Sequence, residues 1–254
     1  MELNKADFLE AGVQFGHYKN QWHPKMKEFI FSVKNRVHIM DLKQIMDHSN
    51  LVYDQVKEIA AKGDNILFIG KKKQISEVMK NEALECGSPF LVKKWPGGFL
   101  TNFKITQREI SKLQYFNSLI NSEQFKNFSK KEQTRVEKKR NKLNDVYEGV
   151  MNLKEIPKVM FIMGLKSESI AIKEAKLLNI PIISICDTDT NPKIVDYLIP
   201  GNDDGIKSVA FFIKLIADAV KEGKNISKIN IEKPVIKNST ENESIEEESL
   251  KEIK

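Results

Sequence analysis

Four short, nearly unbroken apolar runs constrain this chain more than anything else in it: Asn65–Ile69, Phe90–Val92, Val159–Met163 and Pro181–Cys186. Each is too short for a core helix and too continuously apolar for a strand with one wet face, so each reads as a strand covered on both sides. Stretches of helical period lie between them, marked by Ile75, Val78, Met79 and Cys86 and later by Ile170, Ala171, Ala175 and Leu178. A weaker strand is expected at Asp196–Ile199. Parallel strands need crossover connections, so the pattern predicts an α/β fold with a doubly wound, mainly parallel five-stranded sheet and helices on both faces.

One crossover is oversized. At Trp95-Pro96-Gly97-Gly98-Phe99-Leu100-Thr101-Asn102 the pattern turns into a long basic helical segment, and the adjacent glycines permit a backbone corner there. Thr101-Asn102 is expected to cap the first arm helix, whose face carries Ile110, Leu113, Phe116 and Ile120. After an irregular turn over Asn121–Phe128, Ser129-Lys130-Lys131-Glu132 fits a capping box that starts a second helix. Val136, Leu143 and Val150 then repeat at seven, a narrow seam suited to pairing with the first helix rather than to burial in a core, which makes 103–150 an inserted hairpin, a coiled-coil arm. Arms of this length would project about 25–30 Å at 1.5 Å per residue.

Ahead of the first strand, Asn4 and Asp7 open a short helix that Gly12 can end. The stretch Phe15–Lys27 has no period and interleaves aromatic rings with cations around Pro24, and is expected to be a loop. Alternation at Phe29, Phe31, Val33, Val37 and Ile39 around Lys34-Asn35-Arg36 predicts an N-terminal β-hairpin at 29–40 with a basic tip. Residues 42–61 form an amphipathic helix ended by Gly63, Ser167 is expected to open the helix after Met163, and Asp203 or Asp204 to cap the last one. The expected division is a core over 1–102 and 151–223, the arm, and a disordered tail over 224–254.

Charge divides the chain further. Of its net +6, Ser239–Lys254 contributes −4 through six Glu against Lys251 and Lys254, which leaves +10 on residues 1–238. Such an excess favours an anionic partner, nucleic acid above all. The apolar runs are far shorter than the roughly 20 residues that span a bilayer, and the N-terminus lacks signal-peptide order, so a soluble, cytoplasmic protein without membrane contact is expected. Cys86 and Cys186 lack zinc spacing and read as buried thiols, with no metal and no cofactor indicated.

Two chemistries compete for the strand ends, where ligands of such sheets bind. Asp187, Asp189, Asp203 and Asp204 are the best catalytic candidates, as carboxylates able to hold Mg²⁺ for phosphoryl transfer, yet short acidic side chains also favour turns and helix starts. Gly70-Lys71-Lys72-Lys73 lacks both the phosphate-loop pattern and the dinucleotide fingerprint and reads as a basic loop facing RNA phosphates. Trp22 and Trp95 stack on bases or anchor loops, and His17 and His23 pack or hydrogen-bond, with no ligand set nearby to complete a metal site.

The motifs Ala11–His17, Trp22–Met26, Val37–Leu42, Trp95–Asn102, Ile170–Ala175, Leu178–Pro181 and Ile199–Asp204 occur in an order that resembles the bacterial-type family of ribosomal protein two of the small subunit, over nearly the whole length to about Gly223. The resemblance implies a flavodoxin-like domain with an inserted helical hairpin, bound to small-subunit ribosomal RNA and without catalytic activity. It also implies neighbouring ribosomal proteins as partners, including the large mRNA-binding protein one where that exists. Candidate RNA-facing residues are Lys19, Trp22, His23, Lys25 and Lys27 in the aromatic loop, with Lys34 and Arg36 at the hairpin tip. Lys71 and Lys72 follow the first core strand; Lys94, Trp95, Gly97, Gly98, Thr101 and Asn102 form the corner; Lys104 and Arg108 lie at the root of the arm. The family usually has glycine at Asn179 and Leu at Pro96; Asn is the next-best residue for a left-handed position closing a helix.

Overall fold

The computed structural model describes residues 4–232, with side chains to 227. It opens with α1 (Lys5–Ala11), where Asn4 Oδ1 accepts from the Ala6 N–H and Gly12, at φ 70°, ends the helix. Then come β1 (Phe15–Tyr18), a 3-10 turn at Pro24–Phe29, β2 (Ile30–Lys34) and β3 (Val37–Met40). The hairpin expected at 29–40 is present, and its two-residue turn holds Asn35 and Arg36 at φ 52° and 64°, as a type I′ turn demands. The Phe15–Lys27 loop needs correction. Its first residues pair with β3 to make a three-stranded sheet in the order β1-β3-β2, and Pro24–Phe29 is helical, capped by His23 Nδ1 accepting from the Lys25 N–H at 3.2 Å. Gly16 hid the strand by breaking its alternation. It is glycine because β1 lies hard against a distant loop: a Cβ there would stand 2.5 Å from Thr188 Cγ2.

The chain continues through α2 (Leu42–Ala61), β4 (Ile66–Ile69), α3 (Lys73–Glu85), β5 (Phe90–Leu91), α4 (Phe103–Ile120), the single turn α5 (Glu123–Lys126) and α6 (Lys130–Tyr147). It ends with β6 (Val159–Ile162), α7 (Ser169–Leu177), β7 (Ile182–Cys186), β8 (Tyr197–Pro200) and α8 (Ile206–Glu232). β4 to β8 form one parallel sheet in the order β5-β4-β6-β7-β8. Numbered along the chain this is 2-1-3-4-5, the flavodoxin-like order. α8 runs past residue 224, where a disordered tail was expected to begin; residues 233–254 of that expectation lie outside the described residues.

The continuous apolar character of the strands follows from two separate cores. Ile66, Phe68, Val159, Phe161, Ile183 and Ile185 point into one, beneath α1, α2, α3 and α8. Their alternates Leu67, Ile69, Met160, Ile162, Ile182 and Cys186 point into the other, beneath α7 and the root of the arm. The arm is bedded rather than merely attached: Ile110 and Leu113 of α4, Tyr147 of α6 and Val150 all belong to this second core and Leu143 packs against it, so the seam expected to pair helices alone is, at its lower end, buried in the core. The α6 capping box forms, with Ser129 and Glu132 bonding reciprocally. Three expected caps do not. Ser167 Oγ donates to the Gly164 carbonyl instead of opening α7, and Asn102 starts α4 without a side-chain bond. Ahead of α8 it is Asn202 Oδ1 that accepts from the N–H groups of Asp204 and Gly205, while the carboxylates of Asp203 and Asp204 turn elsewhere. Asn179 does take the left-handed position, at φ 53°.

Gly16→Ala should lower stability by about 1–3 kcal/mol, because the added methyl meets a buried threonine that cannot swing away. The midpoint of urea unfolding reads this directly; an unchanged midpoint would mean that β1 does not press on the Thr188 loop.

Candidate nucleic-acid interface

Glu174 on α7 is 6 % exposed and carries five hydrogen bonds. Its Oε1 accepts from Trp95 Nε1 at 2.9 Å and the Gly98 N–H at 2.8 Å; its Oε2 accepts from the Leu100 N–H at 2.9 Å and from the Thr101 N–H and Oγ1, both at 3.2 Å. Burial alone would push this carboxyl up, but the donors outweigh it and hold the group below the usual glutamate value. The corner is thereby fixed at both ends. Gly98 sits at φ 81°, where a side chain is strained, whereas Gly97 has open space at its Cβ position. Trp95 is buried edge-on against Phe99 at 5.0 Å, so its ring anchors the corner instead of facing a base. Thr106 Oγ1, donating to the Phe99 carbonyl at 2.9 Å, joins the corner to the first turn of α4.

The four carboxylates at the strand ends converge on cations of the chain itself. His17, brought in by Gly16, meets Asp187 through Nδ1 at 3.0 Å and Asp189 and Asp204 through Nε2 at 3.1 and 3.2 Å. Lys72 pairs with Asp204 at 2.7 Å and stands 3.8 Å from Asp203, and Lys166 pairs with Asp189. The hydrogen bond to Asp187, against a smaller opposing effect of burial, raises the His17 pKa to about 9. Burial raises Asp203 to about 7 although Lys72 stands beside it. The backbone is held too: the His17 N–H donates to Thr188 Oγ1 at 2.9 Å and the His23 N–H to the Thr188 carbonyl at 2.7 Å. This cluster clamps the small sheet onto the ends of β7 and β8.

In the flavodoxin-like order a ligand would enter between the ends of β4 and β6. Here Lys71 and Glu168, from the ends of β4 and β6, are paired across that crevice. Lys71 gives its N–H to Glu168 Oε1 at 3.2 Å and its Nζ to Oε2 at 3.5 Å, and a Cβ on Gly164 would lie 3.1 Å from Lys72 Cε. Among the described residues no group of three or more His, Cys, Asp or Glu is arranged to hold a metal ion, and no helix is long and apolar enough to cross a membrane. Cys86 and Cys186 are both buried free thiols.

The remaining candidate cations fall on two surfaces. Lys19, Lys25, Lys27, Lys34 and Arg36 are exposed on and around the small sheet, without an ionic partner among the described residues. Lys94 is exposed beside the corner, and Lys104 and Arg108 share an open groove on α4 with Lys112 and Tyr115. Lys71 and Lys72, by contrast, are engaged internally. The structure adds a stripe to these surfaces: Lys131, Arg135, Lys138 and Lys142 follow one another along one face of α6. Their steps of three and four residues were the available signal. Glu174 is a further functional position that the sequence marks only by period, three residues after Ala171 and four before Leu178.

The family model described as Ribosomal protein S2 matches residues 8–223. Among curated proteins, the small ribosomal subunit protein uS2 of Endomicrobium trichonymphae is 45 % identical over 218 residues, covering 86 % of this chain and 89 % of that protein. The proteins of the same name from Petrotoga mobilis and Bdellovibrio bacteriovorus are 40 % and 39 % identical over 222 residues, covering 87 % of this chain and 77 % and 71 % of theirs.

Glu174→Gln should destabilise the protein by about 2–4 kcal/mol at neutral pH, since the amide turns a donor toward backbone N–H groups. The lowered carboxyl contributes stability that is complete above the unfolded value of 4.5 and is lost as pH falls through the folded value. Wild type should therefore weaken below pH 4.5 more steeply than the variant, as followed by thermal melts. His17 acts in the opposite direction: its contribution is complete below pH 6.5 and lost as pH rises through about 9. His17→Gln should flatten the decline over that window; an equal decline in both proteins would contradict the clamp.

Proposed function

The chain belongs to the ribosomal protein S2 family, and from that premise we infer that it is a structural, non-catalytic constituent of the small ribosomal subunit that holds ribosomal RNA through its two basic surfaces. The observation that carries the RNA contact is the segregation of charge. Acidic strand ends are neutralised internally by His17, Lys72 and Lys166, while the cations of the small sheet and of the arm are left facing outward. Phosphates bind such outward cations by displacing counterions, with little demand for a shaped pocket.

The proposed division of labour has three parts. Lys19, Lys25, Lys27, Lys34 and Arg36 hold RNA at the small sheet, Lys104, Arg108 and the α6 stripe hold it along the arm, and the core over 1–102 and 151–223 is the rigid mount. Lys71, Lys72, Trp95, Gly98 and Thr101 contribute by shaping that mount. Neighbouring small-subunit proteins are partners too. The exposed aromatic face of the small sheet, with Phe15, Tyr18 and Phe31, supports docking of a protein such as the large mRNA-binding protein one. Nothing favours the phosphoryl-transfer alternative, whose four carboxylates all serve the clamp or its immediate surroundings.

The chain should co-sediment with small subunits, and its affinity for small-subunit RNA should fall steeply with salt, with a slope of about −0.7 to −0.9 per phosphate neutralised. Replacing Lys25, Lys27, Lys34 and Arg36 together by Gln should reduce incorporation and flatten the slope by about one for each phosphate no longer neutralised, without lowering the melting temperature. Normal incorporation of that variant would remove the small sheet from the interface.

A further inference from the structure

Beneath the exposed indole of Trp22 lies a buried imidazole with no hydrogen bond among the described residues. His38 is 5 % exposed, and neither its Nδ1 nor its Nε2 has a partner among the described residues. A neutral imidazole carries one donor and one acceptor, and leaving both dry destabilises the folded chain. The sheet does not ask for this residue. Its cross-strand partner is Val33, beside which an apolar ring would pack as well without the unmet polar atoms. A polar side chain standing where it costs stability points to a use outside the free protein.

The cover over this imidazole is partial. Trp22, 37 % exposed, lies with its ring centroid 5.5 Å from that of His38 and tilted by 43°, so the two are not fully stacked. The indole hangs from a short strap held at its ends, where the Lys19 N–H donates to the Arg36 carbonyl at 2.8 Å and the His23 N–H to the Thr188 carbonyl at 2.7 Å. Between them Asn20 and Gln21 are exposed. Lys19 and Lys25 flank the strap, and Arg36 stands at the adjoining turn. A flat aromatic face, a donor and acceptor pair, and a surround of cations are together what an unpaired nucleotide presents a match for: a base to stack, polar edges or a 2′-hydroxyl to bond, and a phosphate.

We propose that Trp22 and His38 form a nucleotide site within the RNA interface, in which the indole tips outward to stack on an unpaired base and the imidazole it uncovers hydrogen-bonds the same nucleotide. This rests on the RNA-binding reading above and adds to it a site that recognises a base rather than a backbone. The hairpin tip and the arm supply charge; this pair supplies selection of unpaired over paired RNA.

The test is filter binding of the full chain to a small-subunit RNA transcript across a salt series, with melting temperatures measured alongside. Trp22→Ala should weaken binding about 5- to 150-fold, the range for one lost base stack. His38→Phe should melt a few degrees above wild type, because it removes unmet polar atoms, yet bind RNA about ten-fold more weakly with the same salt slope. His38→Gln, which restores a donor and an acceptor, should recover part of the loss and guards against misreading a folding defect in the Phe variant. The site is overturned if wild type binds with a steep salt slope and His38→Phe binds identically, or if weaker binding comes with a lower melting temperature in both His38 variants. If wild type itself shows no salt-dependent binding, the RNA interface as a whole fails, and the site with it.

Discussion

Five donors converge on the carboxylate of Glu174, and the direction of the helical arm depends on that convergence. The corner from Trp95 to Thr101 has no regular secondary structure of its own, and its backbone N–H groups lie where water is largely excluded. Without an acceptor they would be left unpaired at a cost comparable to the stability of a small domain. One ionised side chain from α7 satisfies three of them together with an indole and a hydroxyl. Because α7 is packed on the main sheet, the corner inherits the sheet's orientation and passes it to α4. The buried roots of α4 and α6 then extend the same core into the arm.

A second polar cluster does the same for the other end of the molecule. His17 bridges three carboxylates that would otherwise repel one another at the ends of β7 and β8, and Lys72 and Lys166 complete the neutralisation. Seen along the sequence, four aspartates at strand ends suggest metal-assisted chemistry. Seen in space, they are the socket into which the small sheet is fastened, and Gly16 is the residue that lets the strand come close enough. Both clusters thus position basic surfaces on a rigid frame, which suits a protein whose work is to hold RNA in place.

The strands of the main sheet, their parallel character and the inserted arm were legible in the sequence because they follow from local period and from the continuity of apolar runs, whereas β1 was not, since Gly16 breaks its alternation. The hairpin turn at Asn35-Arg36 and the capping box at Ser129 were legible for the same reason: their chemistry is contained within a few residues. What the sequence concealed was long-range. Glu174 lies 73 to 79 positions from its donors, and His17 lies 171 from Thr188, whose hydroxyl holds its backbone. No periodicity reports such distances. The cap expected of Thr101-Asn102 lost the Thr101 hydroxyl to Glu174, and Asp204 is drawn to Lys72, whereas Ser167 turned back to the nearby Gly164 carbonyl and Asn202 took the capping role ahead of α8. Lys72, chosen from the sequence as a phosphate ligand, is thus committed to Asp204.

If Glu174 aims the arm, a distance measured across the corner should report it. Spin labels on cysteines introduced at Ser118 of α4 and Glu77 of α3, both exposed positions, would read that distance while the buried Cys86 and Cys186 resist labelling. One narrow distance distribution is expected in the parent protein and a broadened or displaced one after Glu174→Gln, under conditions where the core remains folded. The same narrow distribution in both would show that the packed roots of the arm set its direction without the carboxylate.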